Sequence, residues 1–205
     1  MSNIPSDIAF TPAVKGIQAE KGSRGQYTDI EEFSGWETTV TPQLAKFIAG
    51  LDMFYLGTAN AAGQPYIQYR GGLPGFLKVL DEHTLAFADF GGNRQYITLG
   101  NLSENPQAFI FLMDYAHSRR VKLWGTAKVV ENDEALLSQL ADPAYRAGKP
   151  ERAIAFTLAA WDMNCPQHIH KRVPLKEVAP IIEQLQARVK QLEAELAQRD
   201  AQLPT

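Results

Sequence analysis

The chain has 205 residues, 45% of them hydrophobic and 21% charged, which is enough for one packed domain of ordinary size plus an appendage and argues against global disorder. A net charge of −3 and an isoelectric point near 5.8 argue against a protein whose main task is to coat nucleic acid, and no nucleic-acid partner is expected. The single cysteine, Cys165, forbids an intramolecular disulfide and fits a reducing compartment. Residues 1–10 lack a basic stretch followed by an apolar core, so no signal peptide is expected. The longest apolar runs, such as 109–113, fall far short of a bilayer span, and the expectation is a cytoplasmic protein with no membrane partner.

Residues 1–41 read as a polar, glycine-bearing extension with one short helix. Thr11-Pro12 supplies a cap and a first helical residue, and Val14 and Ile17 share a face. Lys21-Gly22-Ser23-Arg24-Gly25 reads as a loop. A second start, Thr41-Pro42, leads into Leu44, Phe47, Ile48 and Leu51 at helical spacing.

The period then changes. Strands are expected at 53–59, 66–71, 76–80, 84–90, 109–115, 121–130 and 153–161, separated by turns such as Asn60-Ala61-Ala62-Gly63-Gln64-Pro65 and Asp81-Glu82-His83. Short strands joined by tight turns favour an antiparallel sheet or barrel over βαβ units. Along 121–129, Val121, Leu123, Gly125, Ala127 and Val129 are apolar or small while Lys122, Thr126 and Lys128 face away, as in a half-solvated strand. By contrast, 108–113 is apolar on both faces. A small barrel buries only one face of a strand, so a helix or a second subunit must cover the other, which is a first hint of a homodimer.

The last zone, 174–205, reads as a helix whose start Pro174 and Pro180 limit. Val178, Ile182, Leu185, Val189, Leu192 and Leu196 are spaced alternately four and three apart, and Leu203 continues the stripe past a break at Arg199. Two readings fit this spacing: an amphipathic helix docked on its own barrel, or a short coiled coil between subunits.

The richest segment for chemistry is Phe90-Gly91-Gly92-Asn93-Arg94-Gln95, where a strand ends in two glycines and a helix is expected to begin at or just after Asn93. Backbone N–H groups at a helix start bind anions, and the Arg94 fork suits a phosphate, with Asn93 and Gln95 as neutral donors. The competing reading is an ordinary strand-to-helix turn with a surface arginine. Arg70 lies on a strand between Tyr69 and Gly71-Gly72 and needs an anionic partner if it is buried. Arg119-Arg120 reads as a solvated turn. Cys165, His168 and His170 have donor types suited to zinc or copper, but a fourth ligand is missing nearby and no metal is expected.

Three of these stretches resemble, in order and spacing, the pyridoxamine 5′-phosphate oxidase-like proteins over about 44–130. They are Gly63-Gln64-Pro65 followed by a strand ending in Arg70, Asn101-Leu102-Ser103-Glu104-Asn105-Pro106 leading into an apolar strand, and the strand around Gly125-Thr126-Ala127. The resemblance implies a mainly β fold with flanking helices: an antiparallel split β-barrel over 42–173, carrying a long C-terminal helix. It implies FMN bound at the interface of a homodimer, with the phosphate near Arg70 and Asn93-Arg94-Gln95. Gln68, Tyr69, Ala88 and Asp89 would line the isoalloxazine edge, and Trp161, Gln167 and His168 would contact flavin or substrate across the dimer or simply form a structural loop. Two departures stand out. Tyr96-Ile97-Thr98 replaces the oxidases' Ser-Arg-Lys cluster, and their Arg- and Trp-rich C-terminal strand is replaced by the long helix. The implied activity is that of a flavin-dependent oxidoreductase acting on a small molecule other than the oxidases' own. The alternatives are a non-catalytic FMN or haem module, or a barrel using the deazaflavin F420.

Overall fold

The computed structural model describes residues 4–33, 35–145, 148–164 and 166–200; Cys165 and Leu203 lie outside the described residues. These fall into two compact units, one of residues 1–114 with 119–166 and one of 115–118 with 167–205.

The first unit is built on seven antiparallel strands: β1 (Met53–Ala59), β2 (Pro65–Gly71), β3 (Lys78–Val79), β4 (Thr84–Phe90), β5 (Gln107–Asp114), β6 (Arg119–Val130) and β7 (Pro150–Asn164). Their order in the sheet is β2-β1-β5-β6-β7-β4-β3. Phe54 and Leu56 from β1, Ile110 and Leu112 from β5, Val121 and Leu123 from β6, and Phe87 from β4 converge in one core, which α3 (Pro42–Ala49) closes with Leu44 and Ile48. The β1–β2 hairpin turns on Asn60, whose side chain accepts the Gln64 N–H at 3.0 Å. At the β6–β7 pairing the register shifts between Trp124 and Gly125, and a Cβ built on Gly125 would lie 2.0 Å from the Thr157 carbonyl oxygen. Only glycine admits that approach.

The doubly apolar strand has part of its cover within the chain. On β5 the even residues Ala108, Ile110 and Leu112 are buried in the core, while Phe109 and Phe111 stand half-buried on the outer face. Phe109 meets Trp124 edge-on at 5.1 Å, Trp36 stacks on Trp124 at 4.4 Å, and Phe10 packs on Trp36 at 5.2 Å. The N-terminal segment therefore lays an aromatic ladder on the sheet, and the Trp161 indole N–H ties down the same segment by donating to the Thr39 carbonyl at 2.8 Å.

Strands β6 and β7 run longer than expected, so that Arg119 and Arg120 open β6 instead of forming a turn, and four further elements differ more sharply. After α1 (Pro12–Glu20), the loop expected at 21–25 holds over 21–23 and is then cut short by α2 (Arg24–Phe33), whose Arg24 guanidinium pairs with the Glu31 carboxylate on the same helix. Glu31 also accepts from the Ser6 hydroxyl at 3.2 Å, and Tyr27 meets Phe10 edge-on at 5.2 Å, so buried polar pairing and one aromatic contact hold this helix. Helix α4 (Ile97–Glu104) begins four residues later than Asn93, because Arg94 and Tyr96 adopt left-handed φ values of 58° and 53° that no α-helix accepts. Strand β3 shrinks to two residues because Leu73–Phe76 is a turn, with the Phe76 N–H donating to the Leu73 carbonyl at 3.0 Å and Gly75 at φ 78°. A helix not expected at all, α5 (Glu134–Leu140), is capped by Asp133 and lays Leu136, Leu137 and Leu140 over Ala86, Ala88 and Ala153.

The second unit consists of α6 (Leu175–Asp200), the segment leading into it and the 115–118 turn. The Arg172 guanidinium lies 4.7 Å from the Tyr115 ring centre, and Ser118 donates to the Ile169 carbonyl at 3.4 Å. Pro180 lies inside α6. Among the described residues no helix is long and apolar enough to cross a membrane.

Candidate anion-binding site

The sheet curls until β2, at one edge, faces β4, second from the other edge, without pairing with it. Side chains bridge this gap. Arg70 Nη1 donates to Asp89 Oδ1 at 2.5 Å, and the Thr98 hydroxyl of α4 donates to Gln68 Oε1 at 2.6 Å. Alternation dictates these positions: Gln68 and Arg70 share the inward face of β2, and Asp89 follows Leu85 and Phe87 on the core face of β4.

Asp89 serves two arginines. Its second oxygen accepts from Arg152 Nη1 at 3.3 Å, and Arg152 is its register partner on β7. Exposures of 13% for the Arg70 side chain, 7% for Asp89 and 14% for Arg152 make this a largely buried triad. Burial opposes the charge on Arg152, but bonds to Glu131 and Asp89 outweigh it and leave its pKa above the ordinary arginine value. The Arg70 guanidinium also lies over the Phe87 ring at 5.4 Å. Its Nε N–H is buried and has no partner among the described residues.

Above the triad, the 91–96 loop and the start of α4 close a concavity of about 60 Å³. Asn93 Oδ1 accepts the Gln95 N–H at 3.2 Å, which orders the loop. Tyr96, at the N-cap of α4, provides no side-chain cap, and Ile97, Thr98 and Leu99 of the first turn line the cavity. That combination places uncapped helix-start N–H groups and the positive end of a helix at an opening that also holds Arg94, which is exposed and has no ion-pair partner among the described residues. Asp89 and Glu151, also in the lining, are both engaged by Arg152. The arrangement is chemically suited to a small oxyanion.

Of the residues expected in a site, Gln68, Arg70, Asp89, Asn93, Arg94 and Gln95 meet in this cavity. Tyr69 faces the other side of β2, 59% exposed and edge-on to Tyr55 at 6.0 Å. Ala88 is buried in the small cluster beneath α5. Trp161 is bound to the N-terminal segment, and Gln167 and His168 belong to the second unit, where both are exposed. The anionic partner that Arg70 required is Asp89, a residue of the chain itself. Thr98 and Arg152 join the site without having been singled out as cofactor contacts. Thr98 sits in the stretch where this chain departs from the oxidases' phosphate cluster, and that departure was a usable signal. Arg152 had none, because its role depends on β4 pairing with β7. No group of three or more His, Cys, Asp or Glu is arranged to hold a metal ion among the described residues.

Comparison with known proteins adds the lineage. Among solved structures the chain is similar to HupZ of Group A Streptococcus at 18% identity and a TM-score of 0.49, covering 65% of this chain and 98% of that one. It is similar to an FMN-binding protein from Syntrophomonas wolfei at 13% identity and a TM-score of 0.44, over 72% and 97% of the two chains. It is also similar to HutZ, the heme storage protein from Vibrio cholerae, at 15% identity and a TM-score of 0.42, over 58% and 89%. No curated protein matches the chain. The family model for pyridoxamine 5′-phosphate oxidase matches residues 40–165, well over half of the chain and the whole of its strand-bearing part. By that match, and by the split antiparallel barrel it describes, the chain belongs to the pyridoxamine 5′-phosphate oxidase family.

Proposed function

We propose that this protein is a cytoplasmic, homodimeric FMN-binding flavoprotein acting as an oxidoreductase on a small molecule, with the FMN phosphate in the Arg70–Arg94 cavity. The observation that carries the reading is the convergence of Arg70, the exposed Arg94 and the uncapped start of α4 on one cavity. Asp89 holds the Arg70 guanidinium by Nη1, leaving Nη2 for the ligand. Arg94 would add a second charged contact from the loop. Bound FMN would supply the two-electron chemistry, so no side chain need be the redox centre.

FMN fits this cavity better than haem does. Its lining holds no His, Cys or Met that could ligate iron, and tyrosines 66 and 96 are the only side chains there of a type that serves as a haem ligand. A volume of about 60 Å³ suits a phosphate and is far below the roughly 300–1,000 Å³ of a site that engulfs a cofactor-sized ligand. The flavin ring would then need cover from another surface. On the outer face of edge strand β2, Ile67 and Tyr69 are 69% and 59% exposed, which supports a second copy as that cover.

Titration with FMN and with riboflavin tests the proposal. Arg94→Ala is expected to weaken FMN by about 10- to 100-fold while leaving riboflavin nearly unchanged. Equal losses for the two ligands would mean that Arg94 does not read the phosphate.

A further inference from the structure

We propose that α6 pairs with α6 of a second copy of this chain as a parallel, two-stranded coiled coil. Its apolar stripe is exposed along nearly the whole helix: Ile182 43%, Leu185 60%, Val189 52%, Leu192 46% and Leu196 60%. Assigned to a heptad, Leu175, Ile182, Val189 and Leu196 occupy position a, and Val178, Leu185 and Leu192 occupy d. The two central layers therefore carry β-branched residues at a and leucine at d, the combination that selects parallel dimers.

Charge points to the same occupant. Arg188 falls at a g position and Glu193 at the e position five residues later, so in a parallel pair each arginine faces the glutamate of the other helix. An identical chain in register forms two such contacts symmetrically, whereas the next g–e pair, Glu195 and Asp200, sets like charges together at the far end of the helix. Pro180, which lacks the N–H for its own turn, falls at f on the outward side, where the break does not touch the seam. From Ile182 to Leu196 the stripe is a strict two-in-seven seam, narrower than the face of a helix packed on a globular body. The pairing does not depend on FMN, nor on whether the barrels themselves form an interface.

Thiol cross-linking of the full chain, without added cofactor, tests the pairing. In a Cys165→Ser background, Leu192→Cys and Arg199→Cys each place a thiol at d, where parallel helices bring identical positions face to face. Arg199→Cys leaves every apolar seam residue in place, so a loss of packing at Leu192 does not obscure the result. Mild oxidation is expected to convert either variant to covalent dimer about tenfold faster or more than Lys190→Cys, which lies on the outer face. If neither d-position variant exceeds the Lys190→Cys control, the parallel coil is overturned. A dimer that persists in that case would belong to the barrel alone, and a helix docked on its own chain would remain as the reading of α6.

Discussion

Asp89 and Glu31 show how single carboxylates organise this chain. Asp89 sets Arg70 and Arg152 on either side of itself, so that one buried acid fixes two bases at the mouth of the barrel. That Arg70 needed a partner was legible from an arginine among Tyr and Gly on a strand. Which partner it takes was not, because Asp89 reaches it across strands that do not pair. Glu31, its side chain 4% exposed, is held below the ordinary carboxylate range chiefly by its bond to Arg24, with Lys15 and Ser6 adding to the effect. A depressed folded-state pKa gives stability that is complete above the ordinary carboxylate pKa and is lost as the pH falls through the folded value. Glu31→Gln is therefore expected to destabilise the protein by about 2 kcal/mol at neutral pH, with the difference from wild type closing in acid. Urea unfolding at a series of pH values reads this directly, and a gap that stays constant into acid would rule it out.

At the scale of elements, the chain was most legible where period and capping agree. Thr41-Pro42 starts α3, β1 and β4 run over the expected residues, and the β6 alternation is the one that the core uses. It was least legible where an element is held by something other than apolar period. Helix α2 relies on the Arg24–Glu31 pair, and α5 covers a small cluster in which Ala86, Ala88 and Ala153 are flanked by Leu80, Phe90 and Val130. The start of α4 is set by two non-glycine residues in left-handed conformations, which propensity would not assign to Arg94 and Tyr96. The delay matters for function, since it leaves 91–96 free to wrap the cavity and presents the helix start to it. The β6–β7 register shift has a sharper consequence. Gly125→Ala would drive a methyl into the Thr157 carbonyl and is expected to cost about 3 kcal/mol, near the upper end for overpacking. A melting temperature unchanged by this substitution would show that the two strands separate there more easily than their pairing indicates.

Across the whole molecule, the family membership and the split barrel stand on the match over residues 40–165 and on the sheet order. The outer sheet face shows how apolar surface can point to two kinds of cover. Phe109 on β5 is met by Trp124, which Trp36 of the N-terminal segment covers in turn, so intrachain packing accounts for part of what suggested a partner. The exposed pair Ile67 and Tyr69 on β2 and the stripe of α6 keep the case for a second copy. No local pattern would have separated these, because the cover for one strand comes from residues some seventy to a hundred positions earlier in the chain. The FMN phosphate subsite proposed above is the part of the site built from this chain's own residues. The most direct measurement is the visible spectrum of the full-length protein purified without added cofactor, followed by FMN titration of any colourless fraction. Flavin bands, or uptake of about one FMN per chain with quenching of flavin fluorescence, are expected. A Soret band, or a colourless protein that takes up no FMN, would contradict that expectation.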